Sequence, residues 1–497
     1  MSQTVSRSAT GLRRDAIGLR EVLFQSITEM APGAAIAASI VAGVGYAGGS
    51  LPLAVLLALV ASLLSASSVG QLARQLPASG SLATYAARGL HPSVGFLTAW
   101  GYVLTGILVP PLVLLQLGFT TAATLNQEFS GYPANLWWPW SLAGAVIVLA
   151  AGFYGIRTSA RLGTTLGVFE IGVFVVLAVF FVVHAGHHNT LSVFGTGYTP
   201  KAYHGITGVI AASVYTVLAF AGFEGAAPLA EESRNPGRTV QRAVVYSALG
   251  IGVLYVFTTY AAAVAFGPNK FVNFGAAGAS SWQGLARTWY GLFWFFVFLA
   301  IVNSTIANAN AGTNIASRIG FAMGRIRAFP HVLAMVHARF RSPWVAVGTT
   351  FATTVAITLG LGLAYNPVSA FAMVGTGIVI LQVAVYIIAN AACIGYFGNS
   401  SWRRAAGHRW NPLLHLVIPV LGIVAFVPVW LAAAGIHAFS WVAPLTAPSS
   451  YMGPGVGGWM VAGLIYLVYL YRKHPRRIAE VGLVHLDAPA AEEEVPV

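Results

Sequence analysis

The chain is a succession of apolar runs, and their lengths constrain its fold more than any other feature. Crossing a bilayer core takes about 20 predominantly apolar residues in a helix. Runs of that kind fall near 24–45, 50–72, 93–125, 138–156, 164–186, 205–230, 240–267, 288–316, 344–364, 367–397, 411–436 and 452–471. They predict an all-α polytopic membrane protein with twelve transmembrane helices. Only 8% of the 497 residues are charged and 57% are hydrophobic, whereas soluble proteins carry about 25% charged residues.

The net charge of +13 invites a nucleic-acid reading, but the distribution of the charge argues for a topology signal instead. With the N-terminus placed in the cytosol, all but Lys201, Lys270 and Arg287 of the 26 Lys and Arg fall in cytosolic segments. An excess of basic residues in cytoplasmic loops sets orientation, so both termini are expected in the cytosol of a cell whose cytoplasmic membrane holds the protein. The N-terminal residues 1–20 and C-terminal residues 474–497 read as cytosolic tails. The first lacks a signal-peptide core, and the second ends in AAEEEVPV. The single cysteine, Cys393, rules out an intramolecular disulfide and a thiolate metal cluster. His184, His187 and His188 read as a solvated external loop rather than a metal site, since no fourth ligand is evident. No metal or cofactor is expected.

Acids carry more information. Of thirteen Asp and Glu, only Glu29, Glu170 and Glu224 fall at membrane depth, where no Lys or Arg joins them. Ionisable groups there are costly and commonly face a polar cavity or a pathway. Each is weighed against a plainer role as a neutral, hydrogen-bonded packing residue.

Two of the three acids accompany helix breakers. ITEMAPGAAIAAS, residues 27–39, sets Pro32 and Gly33 between two apolar halves. Proline removes an amide donor and clashes with the carbonyl one turn back, so the first helix is expected to be discontinuous. Unwound backbone at membrane depth is tolerated where it lines a cavity or is buried in protein. The second half-helix would then direct amides and a positive dipole end at an anion, while carbonyls from Ile27 to Met30 suit a cation. FAGFEGAAP, residues 220–228, repeats the pattern with Gly222, Gly225 and Pro228 around Glu224. Interrupted helices five spans apart point to an inverted five-plus-five repeat with a site at the midplane.

The stretch FAGFEGAAPLAEESRNPGRTVQRAVV, residues 220–245, resembles the sixth-span signature of the amino acid–polyamine–organocation superfamily. The matching residues are Phe220, Gly222, Phe223, Glu224, Glu231, Glu232, Asn235, Pro236 and Arg238. GQLARQLPASGSLATYAARGLHPSVGF at 70–96 is similar to that family's loop between spans two and three, and NANAGTNIASRIGFAMGR at 308–325 to the end of span eight. The likeness runs over about residues 20–400. It implies a LeuT-like fold, with a core at 21–400 (repeats about 21–190 and 200–400), two additional helices at 401–473, and transport by alternating access. Where relatives carry a glycine- and serine-rich break, this chain has Ala31-Pro32-Gly33-Ala34-Ala35. By position the resemblance assigns Gly33, Ala34 and Ala35 to a substrate carboxylate. Ile27, Thr28, Phe220 and Ala221 then supply carbonyls for the substrate ammonium, and Phe220 or Phe223 serves as a gate or as a packing aromatic.

Some relatives carry a lysine in span five at the place this chain gives to Glu170. The reversed sign leaves two readings. In the preferred one Glu170 carries a coupling proton; in the other it completes a sodium site with Ser304, Thr305 and Asn308, since sodium requires several oxygens. Glu29 beside the first break favours a cationic amino acid or polyamine; turned away, it leaves a site for small neutral amino acids. The expected function is a secondary active transporter of amino acids, preferably a proton symporter, with an amino acid or polyamine exchanger or a sodium symporter as alternatives. An enzyme is set aside because H-E-x-x-H, G-x-S-x-G and P-loop motifs are missing. A channel or a non-transporting amino acid sensor is a rival of a different class.

Overall fold

The computed structural model describes residues 17–474, apart from 79, 130, 134, 155–158, 277–279, 326–328, 338–341, 400–409 and 444. The expected tails and much of the arginine-rich connecting sequence lie outside the described residues. Among those described, regular structure is helical, and the only β pairing is an isolated bridge between Ile17 and Ser233.

Among the described residues, ten helices are long and apolar enough to cross a membrane. The two expected spans that fall short do so for different reasons. The fourth, Trp138–Tyr154, has 17 residues and therefore a length of about 25 Å at 1.5 Å per residue. The first is broken into pieces: Leu19–Met30, Pro32–Ala34, a π-helical stretch Ala35–Ser39, then Ile40–Ala42. The remaining long helices keep close to the expected limits, for example Leu51–Gln75, Pro92–Glu128 and Pro367–Gly398.

Side chains are sorted as a lipid solvent demands. Along Ser159–Ala185 the exposed residues Val168, Val175, Val176, Val179, Phe180 and Val183 recur at helical spacing. Glu170 on the same helix is 3% exposed and faces the protein. Polar side chains are therefore concentrated inside the bundle, where Gln116, Glu224, Gln382 and Asn390 are all buried.

Loops meet in two groups. At one end the Tyr198 amide donates to Ser50 Oγ at 3.1 Å, and Arg287 pairs with Glu128. At the other the Arg234 amide donates to the Ile17 carbonyl at 3.0 Å, and Gly89 lies against Ala392.

Candidate functional site

The first break turns on one residue. Ala31 adopts φ 45° and ψ 68°, a left-handed conformation that costs an L-residue roughly 1–2 kcal/mol. Its amide still closes the first helix on the Ile27 and Thr28 carbonyls at 3.1 and 3.2 Å. Pro32 then starts the next segment, and Ala35 returns an amide to the Ala31 carbonyl at 2.8 Å. Of the three residues assigned to a substrate carboxylate, Ala35 thus spends its amide within the chain. The amides of Gly33 and Ala34 occupy helix-start positions, where no intrahelical acceptor exists.

The carbonyls that end the first half-helix have donors. Asn308 Nδ2 reaches the Thr28 carbonyl at 3.3 Å and also donates to the Glu29 carbonyl. Tyr255 OH donates to the Met30 carbonyl at 2.9 Å. A carbonyl has two lone pairs, so Ile27, which accepts only the Ala31 amide among these donors, retains acceptor capacity, whereas Thr28 already accepts from both the Ala31 amide and Asn308 Nδ2. Asn308, read from the sequence as an ion ligand, uses its Nδ2 to clamp the first break.

The second break mirrors the first. Ile206–Phe220 ends at Ala221, Gly222 takes φ 111°, and Phe223–Glu232 continues as a 3-10 segment. The side chains of Glu231 and Glu232 lie outside those described. Ser26 stitches the breaks together: its hydroxyl donates to the Phe223 carbonyl at 2.8 Å and accepts from the Ala226 amide at 2.9 Å. Glu29 fills the space that glycines leave open. A methyl group on Gly222 would come within 2.7 Å of Glu29 Cβ, and one on Gly225 would overlap the Glu29 carboxylate. Positive φ with close approach at Gly222, and close approach alone at Gly225, explain why glycine stands at these places.

The three acids have unlike surroundings. Glu224 is saturated: Gln382 Nε2 donates at 2.5 Å, Tyr386 OH at 2.7 Å, Tyr102 OH at 3.2 Å and the Gly222 amide at 3.3 Å. These bonds tie span six to spans three and ten. Glu170 accepts from Asn303 Nδ2 at 3.2 Å. Ser304 stands beside Glu170, with its buried hydroxyl in no hydrogen-bond geometry. Glu29 is 8% exposed, with the Gln25 side chain beside its carboxyl, and its Oε2 has no hydrogen-bond partner among the described residues. Burial of an unpartnered carboxylate oxygen is expensive.

The remaining expected residues group around these. Gly33 lies against Ser304, Phe174 and the Ala300 carbonyl, so spans one, five and eight meet where Glu170 sits. Thr305 bonds back to the Val302 carbonyl of its own helix at 2.9 Å. Phe220 packs edge-on against Tyr255, and Phe223 stacks on Tyr386 with ring centres 4.7 Å apart. Sequence reading missed Ser26, Tyr102, Gln116, Tyr255, Asn303, Gln382 and Tyr386. Their signal was a polar atom inside an apolar run, which does not reveal a partner over 80 residues away, such as Ala34, whose carbonyl accepts from Gln116 at 2.9 Å.

Two interrupted membrane helices, locked break to break around buried acids, make this a polytopic membrane protein with a polar centre rather than a lipid-soluble bundle alone. The sequence profile of the amino acid permease family matches residues 21–473, and the chain belongs to that family, whose members are transport proteins and not enzymes. It is similar to the low-affinity putrescine importer PlaP of Escherichia coli, with 24% identity over 393 residues, 78% of this chain and 82% of the relative. The branched-chain amino acid permease BcaP of Bacillus subtilis is 25% identical over 366 residues, 70% of this chain and 75% of the relative. The histidine permease HisP of Lactococcus lactis is 25% identical over 309 residues, 59% of this chain and 62% of the relative.

Proposed function

We propose that this permease is a secondary active transporter of amino acids, working by alternating access and coupled to protons, with its substrate site between the two helix breaks. The observation that carries the reading is Glu29 Oε2, a buried carboxylate oxygen at the junction of both breaks with no hydrogen-bond partner among the described residues. A buried polar atom of that kind calls for a ligand, a proton or water. A substrate amine supplies N–H donors there, and the Gly33 and Ala34 amides supply donors for a substrate carboxylate.

Glu170 is our candidate for the coupling proton. It is buried beside Asn303 and Ser304, with no basic side chain as partner among the described residues. The sodium alternative uses the same place, with Ser304, Thr305 and Asn308 as oxygen donors. The twelve-crossing topology and the five-plus-five repeat are part of the proposal. Loops after spans one, five and seven meet at one end, and the N-terminal segment meets the loop after span six at the other; this grouping supports both. The arginine distribution supports cytosolic termini in the cytoplasmic membrane.

The free carboxylate oxygen also favours a second reading of the cargo, a cationic amino acid or a diamine, in keeping with a putrescine importer among the relatives. Uptake into proteoliposomes of labelled alanine, leucine, glutamate, arginine, lysine and putrescine separates the cases. Each substrate is tested with a proton gradient, a sodium gradient or neither. Amino acid uptake driven by an alkaline interior is the expected result. Uptake requiring sodium moves Glu170 into a cation site, and uptake requiring preloaded vesicles makes the protein an exchanger. Currents above carrier turnover without counterflow would overturn the transporter reading in favour of a channel. Binding of substrate without uptake would favour a sensor.

A further inference from the structure

At the end of the bundle that the arginine distribution assigns to the cytosol, a cavity of about 490 Å³ is lined by Leu19, Arg74, Asn235, Gly237, Arg238, Thr239 and Arg242. Its walls come from three elements: the start of Leu19–Met30, the last turn of Leu51–Gln75 and the first two turns of Pro236–Phe266. Local sequence builds this junction. Asn235 takes φ 49° and turns the chain sharply from the 3-10 segment into a 31-residue helix. Gly237 lets the two helix ends approach, since a methyl group there would come within 2.6 Å of the Arg74 carbonyl. Arg74 is thereby set beside Arg238, and Arg242 lies one turn further along the same helix face.

All three arginines are exposed, and none has a carboxylate partner among the described residues, where the one ion pair is Arg287–Glu128 at the opposite end. Glu21, the acid on the neighbouring helix start, is engaged with the Gly18 amide at 2.9 Å. Among the described residues three like charges thus surround one cavity with no counter-charge, the side chains of Glu231 and Glu232 lying outside those described, and an anion would relieve their repulsion. Guanidinium groups suit the geometry of phosphate oxygens, and a helix N-terminus adds amides and a positive dipole end.

We propose that this cavity binds a phosphate group, carried by an anionic phospholipid headgroup or by a soluble phosphate compound, and that the bound group ties helices one, two and seven together at this end. A lipid source fits the position of the arginines at helix ends, where a membrane surface attracts basic side chains. Leu19 offers apolar contact to the start of the acyl chains. The consequence for transport rests on the transporter reading: an occupied cavity favours the arrangement in which this end stays closed. Binding itself does not depend on that reading, so the two fail separately.

The test uses the full-length protein in detergent, with native mass spectrometry and thermal unfolding as readouts. The probes are phosphatidylglycerol, phosphatidylcholine and inorganic phosphate. Retention of phosphatidylglycerol over phosphatidylcholine is expected, together with a higher Tm. Each of R74Q, R238Q and R242Q should weaken binding about fivefold, and the three together about a hundredfold, at roughly 1 kcal/mol per basic side chain. R472Q, outside the cavity, should bind as the wild type does. Single variants keep the test decisive if the triple variant does not fold. A Tm gain with inorganic phosphate that the same substitutions remove would support the site and name a soluble source. Equal retention of both lipids with no phosphate effect, or binding that ignores the substitutions, would overturn the proposal.

Discussion

At the residue scale the three buried acids, equivalent in composition, have been given different tasks by their neighbours. Glu224 is held by four donors and behaves as an organiser of spans three, six and ten. Glu29 retains an open oxygen. Glu29→Gln should therefore lower uptake of lysine and putrescine relative to leucine by about tenfold, the worth of roughly 1.4 kcal/mol, and competition assays in proteoliposomes measure that ratio. An unchanged ratio would remove Glu29 from cargo selection. Glu170→Gln should abolish acceleration by a proton gradient while leaving counterflow of the same substrate intact, because exchange of loaded carriers needs no net proton movement. Persistence of the proton dependence would sink the coupling role.

At the element scale the interruptions are maintained by close packing as much as by proline. Ser26, Asn308 and Tyr255 bond to backbone groups of the breaks, and each such bond contributes about 1 kcal/mol net while leaving its group unpaired costs more. The glycines of span six serve the same contact. Gly225→Ala should destabilise the protein by about 1–3 kcal/mol, the usual cost of overpacking, and depress uptake of every substrate alike. Gly172, with open space where a methyl group would go, is the comparison: Gly172→Ala should leave Tm and uptake near the wild-type values. Equal effects at both positions would contradict the break-to-break packing.

At the scale of the whole molecule, orientation is testable because the only cysteine, Cys393, is buried. Wild-type protein should give a low background with an impermeant maleimide. Ser192→Cys, at an exposed position after span five, should label in intact cells, whereas Arg477→Cys should label only after permeabilisation. The reverse pattern would invert the topology.

Composition, run length and helix breakers alone determined the membrane class, the helical fold and the positions of both interruptions, because those depend on properties local to each segment. The burial of Glu29, Glu170 and Glu224 was legible too, since a carboxylate inside an apolar run has few places to go. The partners were not. Ser26 meets Phe223 and Ala226, Gln382 meets Glu224, and Tyr255 meets Met30 only because helices distant in sequence pack side by side. Which acid is saturated and which is left open is therefore a property of the assembled bundle, where a hydrogen bond is decided by distance and not by spacing along the chain.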